Sequence, residues 1–179
     1  MIDFIRYKLK TEIDLLFHTL PDRDHTAIGG GSRAALLSLY AGLTAPETFS
    51  KVMAMSPAVW VAEGGPRIDF PAWPHWFSAN GLQIWFYYNQ APTNVQYFLY
   101  IGTREVSTAE NPTVYTPEGL QISWQAAYEN GAFRVDYALG LEGVSRKTNL
   151  FYVRNEDDGV HFARIWRKYT DSVLNWFNY

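Results

Sequence analysis

Ser32 stands in Gly30-Gly31-Ser32-Arg33-Ala34, between a short apolar run, His25 to Gly29, and an alanine- and leucine-rich stretch, Arg33 to Leu43. A serine at a sharp strand-to-helix turn projects its Oγ above a sheet, and small neighbours are needed because the backbone packs tightly there. Gly30, Gly31, Ala34 and Ala35 meet that need. A serine hydroxyl is a poor nucleophile until a histidine takes its proton, and the histidine needs a carboxylate to fix its tautomer. Glu105, in Gly102-Thr103-Arg104-Glu105, and His161, in Asp158-Gly159-Val160-His161, follow Ser32 in the order serine, acid, histidine. Together the three side chains could perform nucleophilic acyl chemistry.

Plainer readings stand beside this one. A glycine-rich turn before a helix also cradles phosphate or simply packs tightly, although no P-loop lysine follows and the dinucleotide-binding spacing is missing. Glu105 reads equally as a solvated loop carboxylate, and His161 as a cap on the last helix. Asp157 and Asp158 are rival acids, with Glu105 ranked first and Asp158 next. His18, His25 and His75 fall on a helix, a strand start and an aromatic stretch, and the four histidines have no metal-ligand spacing, which argues against a metallohydrolase.

These residues need elements to hold them. Ile5, Leu9, Ile13, Leu16 and Leu20 recur at helical spacing and predict an amphipathic helix over about residues 3 to 19. His25 to Gly29, Lys51 to Met55, Tyr97 to Ile101 and Asn149 to Val153 read as buried strands. Helices are expected over Arg33 to Leu43, over Pro117 to Glu129 with Gly131 past its end, and from His161 to the C-terminus. Apolar strands alternating with helices specify a mostly parallel sheet of about four strands with flanking helices, an α/β domain. Glu105 and His161 then fall at the carboxyl ends of strands, where open parallel sheets bind ligands.

Composition bounds the partners. The chain has 179 residues, 47% hydrophobic and 18% charged, which suits one domain, 1–179, with a substantial core. A net charge of −3 with no basic stripe argues against nucleic acid and anionic membranes. There is no cysteine, which excludes a thiol nucleophile and thiolate metal sites. No run is long enough to span a bilayer, and Met1 to Lys10 lacks the apolar core of a signal peptide, so a cytoplasmic location is expected.

The run from Thr19 through Gly30-Gly31-Ser32 to Leu43, then Phe49 to Ala58, Tyr100 to Glu105, and Gly159-Val160-His161 with Trp166, resembles the putative-esterase group of α/β hydrolases. That group includes esterase D, feruloyl esterases and enterochelin esterase-like proteins. The resemblance implies a partial α/β-hydrolase fold and hydrolysis of a small-molecule carboxyl ester through an acyl-enzyme. It makes Ser32 the nucleophile, His161 the general base and then acid, and Glu105 the orienter, and it implies no cofactor. The Arg33 N–H would be one oxyanion donor.

Two departures accompany the resemblance. The group usually carries a methionine and two glycines after the serine, where Arg33, Ala34 and Ala35 stand here, and the Arg33 side chain could occlude the nucleophile or favour an acidic ester. The group also has a segment before the first helix that supplies further strands and the second oxyanion donor. An open edge at His25 to Gly29 is therefore expected, covered in a homodimer or by a separate partner. The alternative function is a catalytically degenerate hydrolase fold serving as a binding module through that edge.

Between the second and third strands, about residues 60 to 94, the chain is aromatic-rich and reads as irregular and lid-like. Trp60, Trp73 and Trp76 are either core packing or an aromatic wall for the substrate, and nothing in the sequence separates the two.

Overall fold

The computed structural model describes residues 1–59, 92–106, 113–115, 121–141, 143, 144, 146 and 149–178. The strands are β1 (Ala27–Gly31), β2 (Lys51–Met55), β3 (Gln96–Arg104), β4 (Thr113–Tyr115), β5 (Gln121–Ser123) and β6 (Leu150–Val160). Four of them form a parallel sheet in the order β1-β2-β3-β6, while β4 and β5 make a separate antiparallel pair. The helices are α1 (Ile2–Phe4), α2 (Lys10–Leu16), α3 (Arg33–Thr44), α4 (Trp124–Leu141), α5 (Ala163–Trp166) and α6 (Thr170–Phe177).

Both faces of the sheet are covered, as continuous apolar parallel strands require. Side chains alternate along β3. Tyr97 and Leu99 join Leu36, Leu39 and Leu43 of α3 and Val135 and Leu139 of α4 on one face. Phe98 and Tyr100 meet Ile165, Val173 and Phe177 of the C-terminal helices on the other. Each of these large side chains contributes roughly 1.5–3 kcal/mol by leaving water. Among the described residues, β1 and β6 are the sheet's two edges. No helix among them is long and apolar enough to cross a membrane.

Several boundaries differ from the sequence expectation, each for a local reason. The first helix is divided by a π-helical segment, Ile5–Leu9, and ends at Leu16, where Phe17 turns extended at φ −127°. The wider π turn breaks the 3.6-residue period, so only Ile2 and Ile5 pack on Ala41, Ala45 and Phe49, and Leu9, Ile13 and Leu16 face solvent. Strand β1 starts two residues later than expected because Asp22 caps a 3₁₀ turn over Arg23–His25. Residues 121–123 form a strand rather than helix, and α4 continues through Gly131 to Leu141. Gly131 is not a helix stop. A Cβ there would lie 2.6 Å from Val59 Cγ2, so its absence lets α4 press against the segment after β2. The lid-like segment lies, for residues 60–91, outside the described residues.

Candidate active site

Ser32 links β1 directly to α3 with φ 59° and ψ −120°, a conformation that side chains other than glycine rarely adopt. Such a backbone costs of order 1–3 kcal/mol and persists where its surroundings over-determine it. Here its N–H donates to the Met55 carbonyl at 2.8 Å, and its carbonyl accepts from Leu36 N at 3.3 Å and Ala58 N at 3.2 Å. Gly30 explains why alanine serves at the last position of the motif, because a Cβ on Gly30 would lie 2.5 Å from that of Ala34. Gly31 lies flat against the Trp166 ring, leaving no room for a side chain.

At the same carboxyl end of the parallel sheet, past β3 and β6, the acid and histidine loops are bound together. Glu105, only 4% exposed, accepts through Oε1 from Ser56 Oγ at 2.7 Å and from Gly102 N at 2.5 Å. Its Oε2 lies 2.7 Å from His161 Nδ1. A buried carboxylate with three donors is satisfied. In the tautomer that donates Nδ1–H to this carboxylate, Nε2 carries a free lone pair, which is what a general base uses. The His161 N–H also donates to the Glu105 carbonyl at 3.3 Å, and Gly102 and Gly159 meet backbone to backbone beneath the pair. Trp166 stands edge-on to the imidazole at 5.1 Å between centroids while its Nε1 donates to Ser56 Oγ at 3.1 Å.

The first rival acid, Asp158, is engaged elsewhere. Asp158 pairs with Lys168 and accepts from Asn155 Nδ2 at 2.9 Å, and these two partners hold its carboxyl below the usual range. The Asp157 N–H is bound to Asn155 Oδ1 at 3.1 Å.

Three residues to which the sequence assigns no site role complete the cluster: Ser56, Trp166 and Tyr128. Ser56 sits just past β2 with φ 49°, a second turn at a strand end whose Ser56-Pro57 sequence was its signal. Tyr128, in the first half of α4, hydrogen-bonds the Ser32 side chain and lays its ring 4.8 Å from the His161 ring. Burial pushes its hydroxyl pKa up, partly offset by the Ser32 contact. The structure thus joins Glu105 and His161 directly, and links Ser32 to them through Tyr128 and, beneath Gly31, through Trp166.

The Arg33 side chain is exposed. Its N–H is at the first position of α3. Trp60, Trp73 and Trp76 lie outside the described residues. A cavity of about 530 Å³ opens behind the pair, between Arg104, Asp158, Val160, Arg164 and Arg167, but neither Ser32 nor His161 lines it.

A parallel sheet whose first described strand turns through a strained serine into a helix, and whose later strands deliver a hydrogen-bonded acid and histidine, is of the α/β-hydrolase kind. The chain belongs to the family described as Putative esterase, which matches residues 1–136. Solved structures agree on the fold. Enterobactin esterase from Shigella flexneri is 18% identical with a TM-score of 0.64, over 97% of this chain and 36% of that one. A ferulic acid esterase is 15% identical with a TM-score of 0.67, over 98% of this chain and 59% of that one. S-formylglutathione hydrolase from Staphylococcus aureus is 15% identical with a TM-score of 0.62, over 98% and 60%. This chain therefore spans between about a third and three-fifths of the length of these proteins. Comparison with curated protein sequences finds no match.

Proposed function

We propose that this protein is a serine-dependent carboxyl-ester hydrolase that works through an acyl-enzyme. The observation that carries the reading is the hydrogen bond between buried Glu105 and His161, at the same carboxyl end of the parallel sheet as the strained Ser32 turn. His161 Nε2 takes the Ser32 proton as Oγ attacks the ester carbonyl carbon. The carbonyl oxygen becomes an oxyanion, which the Arg33 N–H receives. Collapse expels the alcohol, which leaves with the proton from His161. Water, activated by the same imidazole, then releases the acid and restores the serine. Family membership and the esterase neighbours support ester substrates as a class.

A second reading is a degenerate hydrolase fold that binds a partner or a second copy of itself along β1. It is favoured by the β1 edge, which pairs with no other strand than β2 among the described residues, and by exposed apolar residues around the first helix, among them Phe4, Leu15, Leu16 and Phe17. Hydrolysis of p-nitrophenyl acetate and butyrate separates the two. Turnover that disappears in Ser32→Ala is expected, and a folded, inactive wild-type protein would leave the binding reading.

A further inference from the structure

Residues other than glycine rarely hold a positive φ, and where they do the surroundings must maintain the strain. Among the described residues three do so: Ser32, Ser56 and Asn178. Asn178 caps the C-terminus of α6, an ordinary place for a left-handed asparagine. Ser32 is the turn from β1 into α3. Ser56, at φ 49°, has no such explanation in the backbone, since glycine would make the same turn without the cost.

Its side chain supplies one. Ser56 is fully buried just past β2, and the peptide before it is fixed on both sides. The Met55 carbonyl accepts from Ser32 N, and Ser56 N donates to the Tyr100 carbonyl, both at 2.8 Å. The Oγ so placed lies 3.1 Å from Trp166 Nε1 and 2.7 Å from Glu105 Oε1. The polarity of this chain is forced. An indole N–H only donates and a carboxylate only accepts, so the hydroxyl accepts from Trp166 and donates its own proton to Oε1.

Trp166 is held in turn. Its ring lies against Gly31, one residue before Ser32, and stands edge-on to the His161 imidazole. With the indole fixed, the Ser56 hydroxyl has one orientation left, and Glu105 Oε1 receives two fixed donors, Ser56 Oγ and Gly102 N. A carboxylate gripped on one oxygen from two directions does not rotate, which leaves Oε2 facing His161 Nδ1 at 2.7 Å. Gly102 N alone would be a pivot.

We propose that Ser56 is the positioning residue of the acid: its hydroxyl, aimed by the Trp166 indole, holds the Glu105 carboxylate in the rotation that keeps Oε2 on His161. The inference rests on the reading of Ser32, Glu105 and His161 as a working set. Ser56 keeps its proton throughout. It acts by fixing where the carboxylate points, and so which nitrogen of His161 carries the proton.

The test compares Ser56→Ala and Ser56→Gly with wild type in p-nitrophenyl butyrate hydrolysis and in proton NMR of the His161 Nδ1–H, assigned by its loss in His161→Ala. Glycine suits the positive φ, so Ser56→Gly keeps the turn and serves if the alanine variant folds poorly. Both variants should lower kcat by about 10–100-fold, the worth of a hydrogen bond to a charged group, with KM changed by less than about threefold. In both, the Nδ1–H resonance, sharp and far downfield in wild type, should broaden through faster exchange with water. Turnover within about threefold of wild type in both variants would overturn the proposal. So would a loss of turnover with the Nδ1–H resonance unchanged, since the loss would then come through packing and not through the acid. Wild-type protein without turnover would remove the Ser32 reading alone. The resonance would still decide the role of Ser56, which stands if the signal broadens in the variants and falls if it does not.

Discussion

The carboxyl ends of β3 and β6 and the first helix beside β1 are built on opposite terms. At β3 and β6 a carboxylate is buried with three donors, an imidazole is held by rings on two sides, and two glycines let the loops touch backbone to backbone. Around the first helix, Leu15, Leu16, Phe17 and Leu20 are 62–75% exposed, and among the described residues β1 pairs on one side only. Polar groups are taken out of water where a geometry must be fixed, while apolar groups stay in water where the described residues pack nothing against them. The first region should therefore be intolerant of small changes and the second nearly indifferent to larger ones.

Glu105→Gln should have the largest effect. An amide fills the same space but no longer fixes the Nδ1–H tautomer, so ester turnover should fall by about 10⁴-fold. Steady-state kinetics check this, and a loss below about tenfold would mean that the acid is not coupled to the chemistry. Gly102→Ala comes next. Its methyl would meet the Gly159 backbone, which cannot swing aside like a flexible side chain. A cost of about 1–3 kcal/mol is expected. Thermal unfolding should register it as a drop of at least about 2–4 °C, the shift for each kcal/mol in a chain of this size. The double variant Leu16→Ser, Phe17→Ser should change stability least, by about 0.5 kcal/mol per site or less. A fall as large as that of Gly102→Ala would break the comparison by showing this side packed in solution, and sedimentation on the same samples would detect a second copy.

What the sequence made legible follows from how local each signal is. The serine turn is written in five consecutive residues, and the acid and histidine each end a strand whose apolar run is easily seen. The four parallel strands and their flanking helices followed from the same runs. Tyr128 was invisible because it acts through tertiary packing, with a partner 96 positions away. Ser56 and Trp166 are likewise joined across 110 positions. Gly131 misled because a glycine required by a close approach looks like a glycine that ends a helix. The first helix misled because a π segment is not encoded in an apolar stripe, so Leu9, Ile13 and Leu16 suggested a buried face that the structure leaves exposed.

The central claim is that Ser32 is an activated nucleophile. Reaction of the folded protein with a fluorophosphonate, followed by mass mapping of the adduct, tests it most directly. The account predicts a single phosphonyl group on Ser32, absent in Ser32→Ala and formed far more slowly in His161→Ala. No adduct on the folded protein, or one on another serine, would contradict it.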